Sequence, residues 1–266
     1  MFPVAFVTGP DLAYTCRFSE GEFAQWLGTE WEQVLDLAEK LTGKFIVFDG
    51  PDGAGKGTQI ARLSDALRAV GLEVVCTREP GGTVVGEQIR EMLLGQALDV
   101  MDVRCEMLLF MASRAQLVGE VIEPAIKMGK TVLCDRFISA TCAYQGAAGC
   151  DVKQIIDLGR LAIGGTWPDL TLVLDVPAEV GLARIDRHGR SGAVTDARDR
   201  AGEGGGDAKP GMDAMESRPI AFHRRVRELF LSLPRIYPRP VEVIDGTGLE
   251  NEIHERILEV LGRVDF

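Results

Sequence analysis

The chain has 266 residues, 46% of them hydrophobic, and a formal net charge of -11. That is enough chain for one full core with additions near the size limit of a single domain, and the acidic balance excludes a general affinity for DNA or an anionic membrane face. Any phosphate bound here must be held by local groups.

Residues 1–43 stand apart as an N-terminal extension. PVAFVTG reads as a short edge strand. Ser19 and Glu22 form a capping-box pattern, and Phe23, Trp26, Leu27, Val34, Ala38 and Leu41 follow at near-helical spacing. The stretch reads most simply as an amphipathic helix packed on the main domain, with a partner-binding arm as the alternative. Its excess of acidic residues and lack of a basic start oppose a targeting peptide. No apolar run approaches the ~18 residues a membrane span needs, so a soluble, cytoplasmic protein is expected.

From residue 44 to 264 a single kinase-like domain is expected. KFIVFD, LEVVCT, KTVLCD, LTLVLDV and VEVID alternate with helical patterns. Continuous apolar strands separated by helices predict an α/β fold with a five-stranded parallel sheet covered by helices on both faces, and ligands at the carboxyl ends of the strands. The cysteines Cys16, Cys76, Cys105, Cys134, Cys142 and Cys150 are scattered without a C-x-x-C pair, and read as thiols in a reducing compartment.

After the first of these strands comes DGPDGAGKGTQ. Gly50, Pro51, Asp52, Gly53, Ala54, Gly55, Lys56, Gly57 and Thr58 form a strand-loop-helix phosphate cradle. Its glycines let backbone N–H groups face a phosphate at the positive end of a helix, and Lys56 bridges the β- and γ-phosphates of a triphosphate. Gly57 stands where such loops usually carry a magnesium-binding hydroxyl, and Thr58 lies one helical step away. A metal would then rest on phosphates, water and a carboxylate. Asp135, closing TVLC, is the candidate, with Arg136 beside it as a phosphate donor; an Arg-Asp surface pair is the competing reading.

The segment 188–212 is glycine-rich, charged and nearly without apolar residues, a composition unable to bury much surface. It reads as part of a lid over about 184–217 or as a solvated insertion.

Five segments together carry a resemblance: FIVFDGPDGAGKGTQ at 45–59, TREPGGT at 77–83, EMLLFMASRAQLV at 106–118, DRFISATCAYQG at 135–146 and PDLTLVLDVP at 168–177. In this order they resemble the bacterial thymidylate kinases, members of the phosphate-loop nucleoside-monophosphate kinases. The resemblance implies transfer of the γ-phosphoryl group of ATP to dTMP with Mg²⁺, in a homodimer; the acidic charge and the lack of a long apolar run add the expectation of no nucleic acid and no membrane as partners. It implies that Phe110 stacks on thymine, Arg114 reaches thymine O4, Asp52 faces the sugar 3′-hydroxyl, and Tyr144 packs near C2′ and disfavours ribose. Thr141 and Gln145 would lie near the base, and Arg78 and Pro80 would wall the acceptor pocket. The spacing alone leaves Phe110 and Arg114 equally readable as core and surface. With no cation in the variable loop positions, a lid arginine is implied, among Arg184, Arg187 and Arg190. Ala140 departs from the Ser common at its position in the family, so one polar contact near the nucleotide is missing or replaced. GKGTQ is also the form of adenylate kinases, so an AMP or CMP kinase is the nearest rival, and a nucleotide-binding module without transferase activity is the rival of another class.

Overall fold

The structure is a computed structural model. It describes residues 33–95, 101–192, 215 and 217–266, with side chains of the stretch ending at 192 described only as far as 187. The expected edge strand PVAFVTG, the helical positions Phe23, Trp26 and Leu27, the insertion at 193–212 and the side chain of Arg190 lie outside the described residues.

Five strands form one all-parallel sheet: β1 Phe45–Asp49, β2 Val74–Arg78, β3 Thr131–Asp135, β4 Leu170–Asp175 and β5 Val241–Asp245. Their order is β2-β3-β1-β4-β5. β1 is therefore central, hydrogen-bonded to β3 on one side and β4 on the other. The chain leaves β1 toward one edge and later crosses back over it, so the sheet switches direction beside β1, where ligands gather in such folds.

Each central strand is buried on both faces, which is why these strands read as unbroken apolar runs. Phe45 and Val47 of β1 join one core, while Ile46 and Phe48 join the other. On the first face lie α4 (Val103–Leu117), α6 (Ile138–Ala147), α7 (Val152–Ala162) and α9 (Ile220–Ile236). On the second lie α1 (residues 33–41), α2 (Lys56–Ala69) and α10 (Glu250–Arg263). The other α-helices among the described residues are α3 (Val84–Leu94), α5 (Glu123–Lys127), joined to α4 by a π-helical turn at Val118–Ile122, and α8 (Ala178–Gly192).

In α1, Val34, Leu37 and Leu41 are buried. The helix is tied to the sheet by Thr131 Oγ1, which donates to the Leu41 carbonyl at 2.5 Å, and to α10 by Lys40 Nζ, which donates to the Gly262 carbonyl at 2.6 Å.

The strands end on polar residues, Asp49, Arg78, Asp135, Asp175 and Asp245, along one rim, with Arg78 in register with Asp135 and Asp175 with Asp245. Among the described residues no helix is long and apolar enough to cross a membrane.

Candidate functional site

The rim opposite the strand starts is built around the loop between β1 and α2. Gly50 and Gly53 hold it in conformations with φ 131° and 72°, which only glycine adopts without strain. The loop is also pinned from behind: a Cβ on Gly53 would run into the carbonyl oxygen of Gly181 in α8, and one on Gly50 into that of Leu174 in β4. Gly55 caps α2 in the left-handed conformation and is exposed at its mouth, so the first turn of a helix opens to solvent there. Lys56 is buried, and its Nζ donates to the carbonyls of Gly50 and Pro51 at 3.2 and 3.1 Å. Burial, and Arg136 after it, lower the Lys56 pKa.

Behind the loop stands a cluster of charges. Arg136 follows β3 and is the one non-glycine described residue with positive φ, 70°, a backbone state that costs energy and concentrates at functional sites. Its guanidinium meets the Asp52 carboxylate, donates to Tyr144 Oη at 3.3 Å and to the Gly50 carbonyl at 3.3 Å, and lies 4.9 Å from the Tyr144 ring centre. Tyr144 Oη donates to the other Asp52 oxygen at 2.7 Å. Burial opposes ionisation of Asp52, yet Arg136, Lys56 and Tyr144 together hold its carboxyl below the usual value.

Asp49, closing β1, is a part of this cluster that the sequence reading did not single out. Its oxygens accept from Ser139 Oγ at 2.6 Å and from its neighbour Gly50 N at 3.0 Å, and Arg136 lies 3.8 Å away. Burial raises its pKa despite those partners. The signal was available, since an acid ends the strand that feeds the phosphate loop.

A cleft opens from Asp52 between α4 and α6. Of the acceptor residues named above, it brings together Asp52, Pro80, Phe110, Arg114, Arg136, Thr141, Tyr144 and Gln145, and Ala140 also lines it. Arg78 is not part of its lining; it is half-exposed and paired with Glu87 at 3.4 Å. The cleft also takes in Glu79, Arg90, Leu94 and Met215.

Glu79 is the most consequential of these additions. Arg114 is buried, and its Nε donates to Glu79 Oε2 at 2.7 Å, while Nη2 lies 2.6 Å from that oxygen and donates to Thr141 Oγ1 at 3.1 Å. Burial raises the Glu79 pKa to about 7 against the pull of Arg114, and Glu79 Oε1 is buried without a hydrogen-bond partner. No local pattern links residues 79 and 114, because their meeting depends on the turn after β2 being folded over α4.

Of the two lid arginines whose side chains are described, Arg184 reaches the phosphate loop: it donates to the Gly53 carbonyl at 3.4 Å and to that of Gly246 at 3.2 Å. Arg187 is exposed and donates to Ala183 in its own helix. For a metal, no three His, Cys, Asp or Glu side chains converge among the described residues. Asp135 Oδ1 is nonetheless buried without a partner, and its charge is felt by Lys56. One orphaned carboxylate oxygen beside the phosphate loop fits a cation whose other ligands are phosphate and water.

The family model described as thymidylate kinase matches residues 48–257. A thymidylate kinase of Syntrophotalea carbinolica is 43% identical over 214 residues, covering 80% of this chain and 92% of that protein. One of Thermomicrobium roseum is 45% identical over 205 residues, with 76% and 87% covered. The crystal structure of thymidylate kinase from Ehrlichia chaffeensis superposes with a TM-score of 0.60 at 30% identity, over 82% of this chain and 98% of that one.

Proposed function

This chain belongs to the thymidylate kinase family, and we propose that its site passes the γ-phosphoryl group of ATP to dTMP, giving dTDP and ADP for DNA precursor synthesis. It is a phosphotransferase. The observation that carries the substrate reading is the cleft that starts at Asp52 on the phosphate loop and runs to Phe110, Arg114 and Gln145, so that one loop borders both nucleotides.

The acceptor is a phosphate oxygen that is anionic at neutral pH, so no general base is required. Catalysis rests on in-line positioning and charge neutralisation. Lys56 exchanges the Gly50 and Pro51 carbonyls for the β- and γ-phosphates. Arg136, anchored by Asp52 and Tyr144, presents its guanidinium to the acceptor phosphate. Arg184, already against the loop backbone, is better placed than Arg187 to meet the phosphoryl group in transit. Mg²⁺, when bound beside Asp135, supplies charge neutralisation for the donor phosphates. Phe110 offers a face for the thymine ring, and Tyr144 crowds the sugar edge. A homodimer is supported by exposed apolar side chains on adjacent helices, Met92 on α3, Leu108 on α4 and Leu161 on α7.

An ADP-release assay across a panel of nucleoside monophosphates tests this directly. Turnover should depend on an added acceptor and be fastest with dTMP. Preference for AMP or CMP would overturn the substrate assignment, and ATP binding without acceptor-dependent turnover would overturn the transferase.

A further inference from the structure

The hydrogen bonds of Gln145 point beyond the stacking and charge contacts described so far. An amide side chain is nearly symmetric in shape, so its orientation is set by its partners. Gln145 is buried on α6 and lines the acceptor cleft. Its Nε2 donates to Glu106 Oε1 at 2.7 Å. Glu106, buried in the first turn of α4, is ion-paired through Oε2 with Arg218, 3.2 Å away. Arg218 is itself steadied by Phe222, with the guanidinium 4.6 Å from the ring centre.

We propose that Glu106, fixed by Arg218, is the positioning residue through which this site chooses its base: it locks Gln145 so that the amide oxygen, not the nitrogen, is presented to the cleft. A carboxylate in an ion pair offers only lone pairs, so the amide nitrogen must turn toward it. The free carbonyl of Gln145 then stands as an acceptor near Arg114, whose guanidinium has only donors. Glu79 and Thr141 hold that guanidinium in place. A donor beside an acceptor matches a nucleobase edge with a carbonyl next to a ring N–H, as in thymine and uracil. Cytosine would set its amino group against Arg114 and its ring nitrogen against the Gln145 oxygen, two like-on-like contacts that leave buried polar groups unpaired. Guanine shares the favoured pattern, so its rejection would fall to the size of the cleft.

This inference rests on the dTMP kinase reading, and the test separates the two. The kcat/KM values for dTMP, dUMP, dCMP and dGMP are to be measured for the unaltered chain, Glu106→Gln, Arg218→Met and the exchange Glu106→Gln with Gln145→Glu, with folding followed by thermal melting. In Glu106→Gln the new amide can face Gln145 either way, and the ratio of dTMP to dCMP should fall at least about tenfold, because a donor becomes available to the cleft. Arg218→Met should lower it in the same direction and, with its side chain partly exposed, serves if the buried variant fails to fold. The exchange should restore the ratio, because a carboxylate placed on α6 in this way can only accept. An unchanged ratio in folded variants, or equal losses for every acceptor, would overturn the inference and leave the dTMP kinase reading standing. An unaltered chain that does not prefer dTMP or dUMP over dCMP would overturn both.

Discussion

Glu79 and Arg114 show how far one residue pair can set the behaviour of the acceptor site. Folding favours the protonated form of Glu79, so the stability that this group contributes is present below its ordinary value of 4.5 and is lost as pH rises through about 7. The proposed recognition of the base by Arg114 would have the opposite sign, since only the carboxylate holds Arg114 as an ion pair. KM for dTMP should therefore rise as pH falls below about 7. The acceptor phosphate itself gains a proton near pH ~6, so the measurement is the difference between the pH profile of the unaltered chain and that of Glu79→Gln, which should lack the Glu79 part. An unchanged profile would show that Glu79 does not govern Arg114. Glu79→Ala should also cost about 3–5 kcal/mol in denaturant unfolding, because it leaves a buried guanidinium unpaired. Phe110→Ala should raise KM for dTMP at least about tenfold, the order of a buried aromatic contact, with little change for ATP; equal losses for both nucleotides would make Phe110 a core residue only. Phe110, Arg114 and Tyr144 were readable from the resemblance, one motif at a time. The ion pair was not, because its two members lie 35 residues apart, and REPGG reads locally as a turn.

At the scale of elements, the strands were the most legible part of the chain. All five expected strands are present, because burial on both faces of a parallel sheet demands uninterrupted apolar runs. Helix α6 was legible as a motif but not as an environment: every residue from Ile138 to Ala147 is buried, and it contributes Ser139, Thr141, Tyr144 and Gln145 to four separate polar contacts. The docking of α8 on the phosphate loop was invisible in the sequence. Gly53 reads there only as a phosphate-loop glycine and Gly181 as nothing in particular, yet Gly53 leaves room for the Gly181 carbonyl and Gly181 for that of Asp52. Gly53→Ala combines an unfavourable φ with a backbone collision, so it should cost about 1–3 kcal/mol and displace the loop, seen as a raised KM for ATP. Normal ATP kinetics in a folded Gly53→Ala protein would show that the loop does not depend on this close approach.

At the scale of the molecule, three neighbouring helices carry exposed apolar side chains. α3, α4 and α7 lie side by side, and they expose Val84, Met92, Leu108 and Leu161, the first and last of these at 78% and 80%. In a chain carrying a net charge of -11, whose surface should otherwise keep copies apart, apolar side chains on neighbouring helices are the surface on which the proposed second copy would dock. The same α3 and α4 border the cleft through Arg90, Leu94, Phe110 and Arg114, so an interface there would brace the proposed base-binding wall from behind. Sedimentation equilibrium should find a dimer, and Leu108→Glu with Leu161→Glu should shift it toward monomer, since burying two unpaired carboxylates opposes association. Because these side chains are exposed in the single chain, the double variant should keep its fold and lose acceptor affinity more than ATP affinity. A protein already monomeric, or a double variant that still dimerises, would place the contact between copies elsewhere.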